Sequence, residues 1–312
     1  MMRSKYTLWL LVLMLSCSSS KNAQPLTSHL EIFDLELNQR TRIYAEKARF
    51  EAPNWSPNGN YLLLNSGGKL FTISPTGEQK RWLNTDFADK CNNDHLISPD
   101  GTHIAISHHD QPGVPYGEDD YMTSKIFLLP AGGGTPRLVT TNAPSFLHGW
   151  SPDGKHLTYT ALRNGDFDIY ECSVDGGPET RLTDNPGLDD GPEYGPEGKF
   201  IYYNSMAGGK MDIWRMNRDG TRRVQLTNDQ YSNWFPHVSP TKEGFVFLSY
   251  LEDQGDRHPP MKRVALRYYD FSTEKIRELC RFTGGQGTIN VPSWSPDGKR
   301  FAFVSYEGGE ND

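Results

Sequence analysis

The chain has 312 residues, a formal net charge of -7, 36% hydrophobic and 12% aromatic residues. Its 30 Gly and 21 Pro stand beside 15 Tyr, 15 Phe and 7 Trp, and such a mixture of turn formers and aromatics favours many short strands over long helices. The charge is mildly acidic and no long Lys/Arg run occurs, which argues against a nucleic-acid partner.

The N-terminus reads apart from the rest. Arg3 and Lys5 precede an apolar run from Leu8 to Leu15, and Ser16-Cys17 follow. A charged start, a short greasy middle and a small residue at the cut are the parts of an export signal, and the run is too short to span a bilayer. Cys17, followed by three serines, resembles the lipobox of bacterial lipoproteins, although Met14 and Leu15 depart from its usual pattern. That resemblance implies lipid attachment at Cys17, with plain secretion as the alternative. The remaining cysteines, Cys91, Cys172 and Cys280, form neither a disulfide framework nor a zinc spacing, and are expected to be small buried packing residues.

From residue 29 one phrase keeps returning. It reads NWSPNG at 54–59, ISPDG at 97–101, HGWSPDG at 148–154, YGPEG at 194–198, VSPTK at 238–242 and WSPDG at 294–298. The serine-like positions lie 42, 53, 44, 44 and 56 residues apart, a base period in the low forties that points to propeller blades. In the third copy Pro152 sets φ for a tight turn, Asp153 tolerates the bend and Gly154 supplies positive φ. The fifth copy has Thr241 and Lys242 instead, and Gly244 is expected to take over the turn. After each turn come an alternating strand such as HLTYT, a loop, a strand such as DIYECSV, a DGG-like turn and a short RLT-like strand. One four-stranded unit cannot bury both its faces, so the units must stack around an axis.

The ends of the chain show how the ring closes. Only two strands fit after Ser295, while HLEIFDL (29–35) and TRIYAEK (41–47) form two strands with no turn motif before them. The expected fold is therefore all-β: a six-bladed propeller of four-stranded antiparallel blades, closed by N-terminal strands pairing with C-terminal ones. Residues 1–28 are the leader and tether and 29–312 the propeller; no spare stretch holds a seventh blade.

The phrases PSWSPDGK, GDFDIYECSVDGG…RLT and KMDIWRMNRDGT…QLT resemble the TolB-type, WD40-like propeller repeat, over nearly all of the chain after residue 28. The resemblance is specific for fold and weak for function, because propellers of this kind serve as periplasmic scaffolds, sugar-binding modules and lids of peptidases. It implies a cell-envelope location, periplasmic or outer-membrane-anchored. The N-terminal domain of TolB itself is not expected here, nor is a peptidase, since no G-x-S-x-G elbow occurs.

Antiparallel strands put the SPDG and DGG turns on one face of the disc. The segments leading into the blades, and the loops between second and third strands, fall on the other. The two long loops, His109–Thr123 and Leu251–Arg263, belong to that irregular face, the usual seat of function. So do Asn93, Asp94, His95, His148, Asp190, Asn233, Trp234, His237, His258 and Asn290, which should ring the channel mouth with Lys262 and Arg267 nearby. Each also has a bland reading. His95 and His148 replace a proline and could simply bond a neighbouring blade. Trp234 could be wedged between blades, and Glu118-Asp119-Asp120 is more readily a solvated run than a cation site.

Two functions fit. A funnel of Trp234, Tyr231, Tyr116, amides and acids suits a carbohydrate, another polar small molecule or a partner peptide. A metal-dependent polysaccharide lyase is the alternative: oligogalacturonate lyase is similar in being a propeller with a histidine-ligated metal. There imidazoles would hold Mn or Zn, while Arg257, Lys262 or Arg267 clamped the uronate. No compact run of ligand histidines matches that enzyme, so no catalytic or metal-ligating residue is assigned and the cofactor is left unknown. Binding is favoured over catalysis, with pure scaffolding a third possibility. The protein is expected to be a monomer that touches the membrane only through its lipid.

Overall fold

The computed structural model describes residues 25–109 and 122–309. Cys17 lies outside the described residues, as do Tyr116 and the run 118–120. Within them the chain forms 23 strands. The first two, β1 (Thr27–Asp34) and β2 (Gln39–Glu46), wait for the far end of the chain. Blade one is β3 (Glu51–Trp55), β4 (Leu62–Ser66), β5 (Lys69–Ile73) and β6 (Arg81–Trp82). Blade two is β7 (Cys91–Ile97), β8 (His103–His109), β9 (Ser124–Pro130) and β10 (Arg137–Leu138). Blade three is β11 (Ser145–Trp150), β12 (His156–Arg163), β13 (Asp166–Ser173) and β14 (Thr180–Arg181). Blade four is β15 (Asp189–Tyr194), β16 (Phe200–Ser205), β17 (Asp212–Asn217) and β18 (Val224–Gln225). Blade five is β19 (Ser232–Val238), β20 (Gly244–Tyr250), β21 (Lys262–Asp270) and β22 (Lys275–Gly284).

The sixth blade takes β23 (Arg300–Glu307) from one end of the chain and β1 and β2 from the other, in the order β2-β1-β23. Its innermost strand is reduced to a single bridge, Trp294 to Phe301. The seam pairs Thr27 with Glu307 through to Asp34 with Arg300. Buried Glu31 bonds Arg40 of β2 and Ser305 of β23, so one carboxylate ties all three strands. The Arg40 guanidinium lies 5.0 Å over the Phe282 ring and 5.4 Å over Phe303, which joins this blade to its neighbour.

Six separate apolar clusters are buried, one at each blade junction. The core is thus distributed around the ring, and each blade is stable only between two others. The recurring phrases have local causes. In the third turn Gly154 has φ +73° and its N–H bonds the Ser151 carbonyl at 2.8 Å. The Ser151 hydroxyl donates to Asp153 at 2.6 Å and accepts the His156 N–H at 2.8 Å, which explains serine before Pro-Asp-Gly. The closing threonines act one strand over: Thr140, Thr183 and Thr227 hydroxyls accept the N–H groups of Ile126, Ile169 and Ile213 at 2.8–2.9 Å.

The fifth turn departs from the expectation. Lys242 itself takes the left-handed conformation, φ +64°, and bonds the Ser239 carbonyl at 2.8 Å. Gly244 instead opens β20, where any Cβ would press on the Tyr269 carbonyl and the Tyr268 ring. The glycine serves close packing between strands, not the bend. Cys91 and Cys172 are buried as expected, but Cys280, on β22, is only partly so.

Lys242→Gly should therefore leave stability within about 1 kcal/mol of wild type, because relief of left-handed strain offsets added chain entropy. Gly244→Ala should cost about 3 kcal/mol or more by overpacking. Urea unfolding of both variants measures this; equal effects would show that Gly244 is not a packing glycine.

Candidate ligand-binding site at the channel mouth

The site begins with an irregularity in the innermost strands. Each of β3, β7, β11, β15 and β19 shifts register near its channel end. Ala52, Gly191 and Phe235 sit there with φ +56°, +63° and +53°. Each is followed by a proline (Pro53, Pro192, Pro236), which has no N–H to offer the ladder and is tolerated where pairing is already broken. A bulge re-aims the side chains beside it. In blades two and three the proline position holds His95 and His148 instead, so the broken ladder presents an imidazole.

Those two histidines have different surroundings. His95 is fully buried and its Nε2 meets the Leu63 carbonyl of blade one at 3.2 Å. Burial holds its pKa down at about 4, so it stays neutral and acts as a joint between blades. His148 lies among acids. Its Nε2 is 3.2 Å from Asp190 Oδ1 and its Nδ1 is 4.0 Å from Asp94 Oδ1. The Phe235 ring stacks on it at 6.1 Å. Burial pulls the His148 pKa down, but the charges of Asp94 and Asp190 outweigh that and hold it at about 9. Burial likewise pushes the Asp94 carboxyl up to about 6, against the pull of His148. It would raise Asp190 too, yet the charge and hydrogen bond of His148 keep that carboxyl well below the usual range. Asp190 accepts the Thr160 hydroxyl at 2.8 Å, and Asn92 donates to Asp94 at 2.6 Å.

His258 completes the group from the loop after β20. Its Nε2 is 3.7 Å from Asp190 Oδ2, and its ring stands edge-on to Trp234 at 4.7 Å and Phe235 at 5.4 Å. Burial lowers its pKa. The loop is fixed where the Tyr250 hydroxyl donates to the Pro259 carbonyl at 2.8 Å. Asn290 braces the sixth blade's contribution, accepting the Gly287 N–H at 2.7 Å and donating to Gln286 at 2.8 Å.

The structure thus brings Asp94, His148, Asp190 and His258 together, with Asn93 buried one residue before Asp94. Other expected residues have different partners. Of the two roles open to Trp234, it takes the wedge: it is 0% exposed and packs on Tyr250 as well as His258. His237 lies between Glu193 and the Ile289 carbonyl. Asn233 donates to Asp212 at 2.9 Å and accepts the Ser249 hydroxyl at 2.6 Å inside blades four and five. Arg267 is held by Asp229 at 2.6 Å, and Lys262, at the start of β21, is half-buried. Glu51, Thr160 and Phe235 were not anticipated. Glu51 stands two residues before its proline, as Asp190 and Trp234 do, so aligning the repeats on the proline points to it. No group of three or more His, Cys, Asp or Glu side chains among the described residues is arranged to hold a metal ion. A cleft on the opposite face, lined in part by Glu36, Lys242, Arg277 and Lys299, has Lys299 and Glu36 already paired at 3.0 Å.

Known proteins resemble this chain in sequence and fold. A family model described as the TolB beta propeller domain matches residues 137–278. An uncharacterized protein of Agrobacterium fabrum is 46% identical over 280 residues, which cover 89% of this chain and 92% of that one. A solved structure described as a candidate TolB from Agrobacterium tumefaciens is similar with TM-score 0.84 and 45% identity, over 90% of this chain and 99% of its own. TolB from Acinetobacter baumannii gives TM-score 0.61 at 16% identity, covering 92% of this chain and 65% of that one. Oligogalacturonate lyase in complex with manganese gives 0.52 at 13%, covering 80% and 70%. At those last two identities the likeness is one of fold.

The charges of the cluster link stability to pH. The folded His148 ring holds its proton to about 9 against 6.5 when solvated, so its stabilisation is full below about 6.5 and fades as pH rises through about 9. Asp190, held low, contributes the other way: its share is present above its solvated value of 3.8 and lost on acidification. Imidazole 15N shifts at pH 7.5 should show His148 doubly protonated, and His148→Gln should flatten the fall in melting temperature between pH 7 and 10. A neutral ring at pH 7.5 would contradict the pairing.

Proposed function

The chain belongs to the TolB-like β-propeller family, and from that premise we propose that it is an exported, lipid-anchored envelope protein that binds a polar ligand at its channel mouth. The observation that carries this reading is the group formed by buried Asp94, His148 and Asp190 with partly exposed His258. Burying ions is costly, and a scaffold that needed only rigidity would be as well served by apolar side chains there. Export and anchoring rest on Arg3, Lys5, the apolar run and Cys17. A carbohydrate or a partner peptide would each meet the mouth with groups that hydrogen-bond.

Binding is preferred to uronate elimination for an electrostatic reason. Asp94, Asp190 and Glu51 would repel the carboxylate that such a lyase must hold, and Arg267 is committed to Asp229. The test has two parts. Cys17→Ser should move the protein from the membrane fraction to the soluble periplasmic fraction. A thermal-shift screen of saccharides, peptides and metal ions should raise the melting temperature with at least one saccharide or peptide, and His148→Gln should abolish the shift. A shift with none of them would leave scaffolding as the function.

A further inference from the structure

His148 Nδ1 is a buried nitrogen that forms no hydrogen bond of normal geometry among the described residues, with the Asn290 backbone close enough to favour the protonated ring. Its side chain is 5% exposed, as is that of Asp94, whose Oδ1 faces it at 4.0 Å. That separation is too long for a hydrogen bond. A single oxygen set to one side of the line can lie about 2.8 Å from both atoms, within normal hydrogen-bond range. An orphaned buried donor is costly, so the gap is a place where a ligand atom or water gains by entering. Asp190 occupies the other imidazole nitrogen, which leaves Nδ1 as the donor and Asp94 Oδ1 as the acceptor.

Resting on the reading of the mouth as a ligand site, we infer that the His148–Asp94 gap holds a hydroxyl group of a neutral polyhydroxylated ligand, such as an oligosaccharide. A hydroxyl accepts from the imidazole N–H and donates to the carboxylate with the same oxygen. The alternatives fail on charge or on hydrogen-bond sense. An ammonium group, as on lysine or a peptide N-terminus, has no lone pair for the Nδ1 proton and meets a charged ring. A carboxylate accepts from Nδ1 but has nothing to donate to Asp94, and it faces Asp190 and Glu51 as well. Glu51 strengthens this exclusion: it is 7% exposed and close enough to act on the Asp94 charge. Its Oε2 reaches Arg49 at 3.0 Å, which leaves the acids near the gap in excess of the cations. The Asp94 carboxyl, poised near 6, is largely ionised at neutral pH and can act as the acceptor.

Isothermal titration of the full chain with cellotriose, maltotriose and N-acetylchitotriose as neutral probes, trigalacturonate as the anion and trilysine as the cation tests this. At least one neutral probe should bind more tightly than either charged one. Asp94→Ala should weaken that binding about 10-fold or more, the effect of losing a charge-assisted hydrogen bond. Asp94→Asn, whose amide still bonds a hydroxyl, should lose less and should improve trigalacturonate relative to the neutral probe. Circular dichroism establishes that each variant is folded. Tighter binding of trigalacturonate or trilysine overturns the inference while leaving a polar-ligand site. Neutral binding undiminished in folded Asp94→Ala also overturns it. Failure of all five probes to bind wild type overturns the inference and, with no peptide or saccharide shift in the thermal screen, the parent reading too.

Discussion

Every feature of this protein depends on one constraint: a twisted four-stranded blade has two apolar faces and can cover neither by itself. Stacking covers both for inner members of a row, and only closure covers the ends. The seam between β1 and β23 is therefore the contact on which the six distributed clusters rely. The polar tie at its centre is built to hold. Glu31 is 2% exposed and would be a costly buried charge alone, but Arg40 and Ser305 both bond it. Arg40 in turn rests on Phe282 and Phe303, so the ion pair that joins three strands also braces the neighbouring blade.

Closure creates the axis, and the axis creates the site. Innermost strands converge there, and side chains in regular alternation would point between blades. The bulges break that alternation, and proline marks three of the breaks. Where histidine stands in place of proline the backbone irregularity is the same, but the product differs. His95 turns to a carbonyl and becomes a joint; His148 turns to Asp94 and Asp190 and becomes a charge. The difference lies in the neighbours: blade four offers a carboxylate at the matching height, and blade one offers a backbone oxygen.

This explains how far the sequence could be read. Architecture was legible because its cause is local: Pro, Asp and Gly in a four-residue turn, repeated at an interval that fits one blade, with two unpaired strands at each end. The fifth turn was misread because Lys242 can accept a left-handed φ at modest cost, and the nearby Gly244 attracted the assignment. At the site, the alternation of connections puts Asp94, His148, Asp190 and His258 on one face, and the structure brings the four together. The alternation gave the face but not the depth, so Asn233 and Arg267, whose partners lie within blades four and five, could not be told from residues at the opening. His237 looked like His148 for the same reason. What separates them is Glu193, 44 residues earlier and one blade away, a partner that no local pattern reveals. Glu51 and Phe235 escaped because a bulge shifts which residue faces the axis.

The axis also holds some of the unsatisfied buried groups among the described residues. His148 Nδ1, Trp234 Nε1 and Ser293 Oγ are buried without hydrogen-bond partners, each in or beside the innermost layer of its blade. A group of this kind costs about 1–3 kcal/mol when nothing satisfies it. Other polar groups are satisfied, as Ser151 is in its turn and Thr140, Thr183 and Thr227 are beneath the outer strands. Unsatisfied groups occur off the axis as well, at His29 Nδ1 and Trp214 Nε1, so what sets the centre apart is His148, whose ring lies between two carboxylates. The charge of His148 sharpens that point. An unfilled apolar pocket could be repacked by substitution, but a ring bonded to Asp190 and faced by Asp94 would fix the polarity and bonding direction of any ligand that reached it.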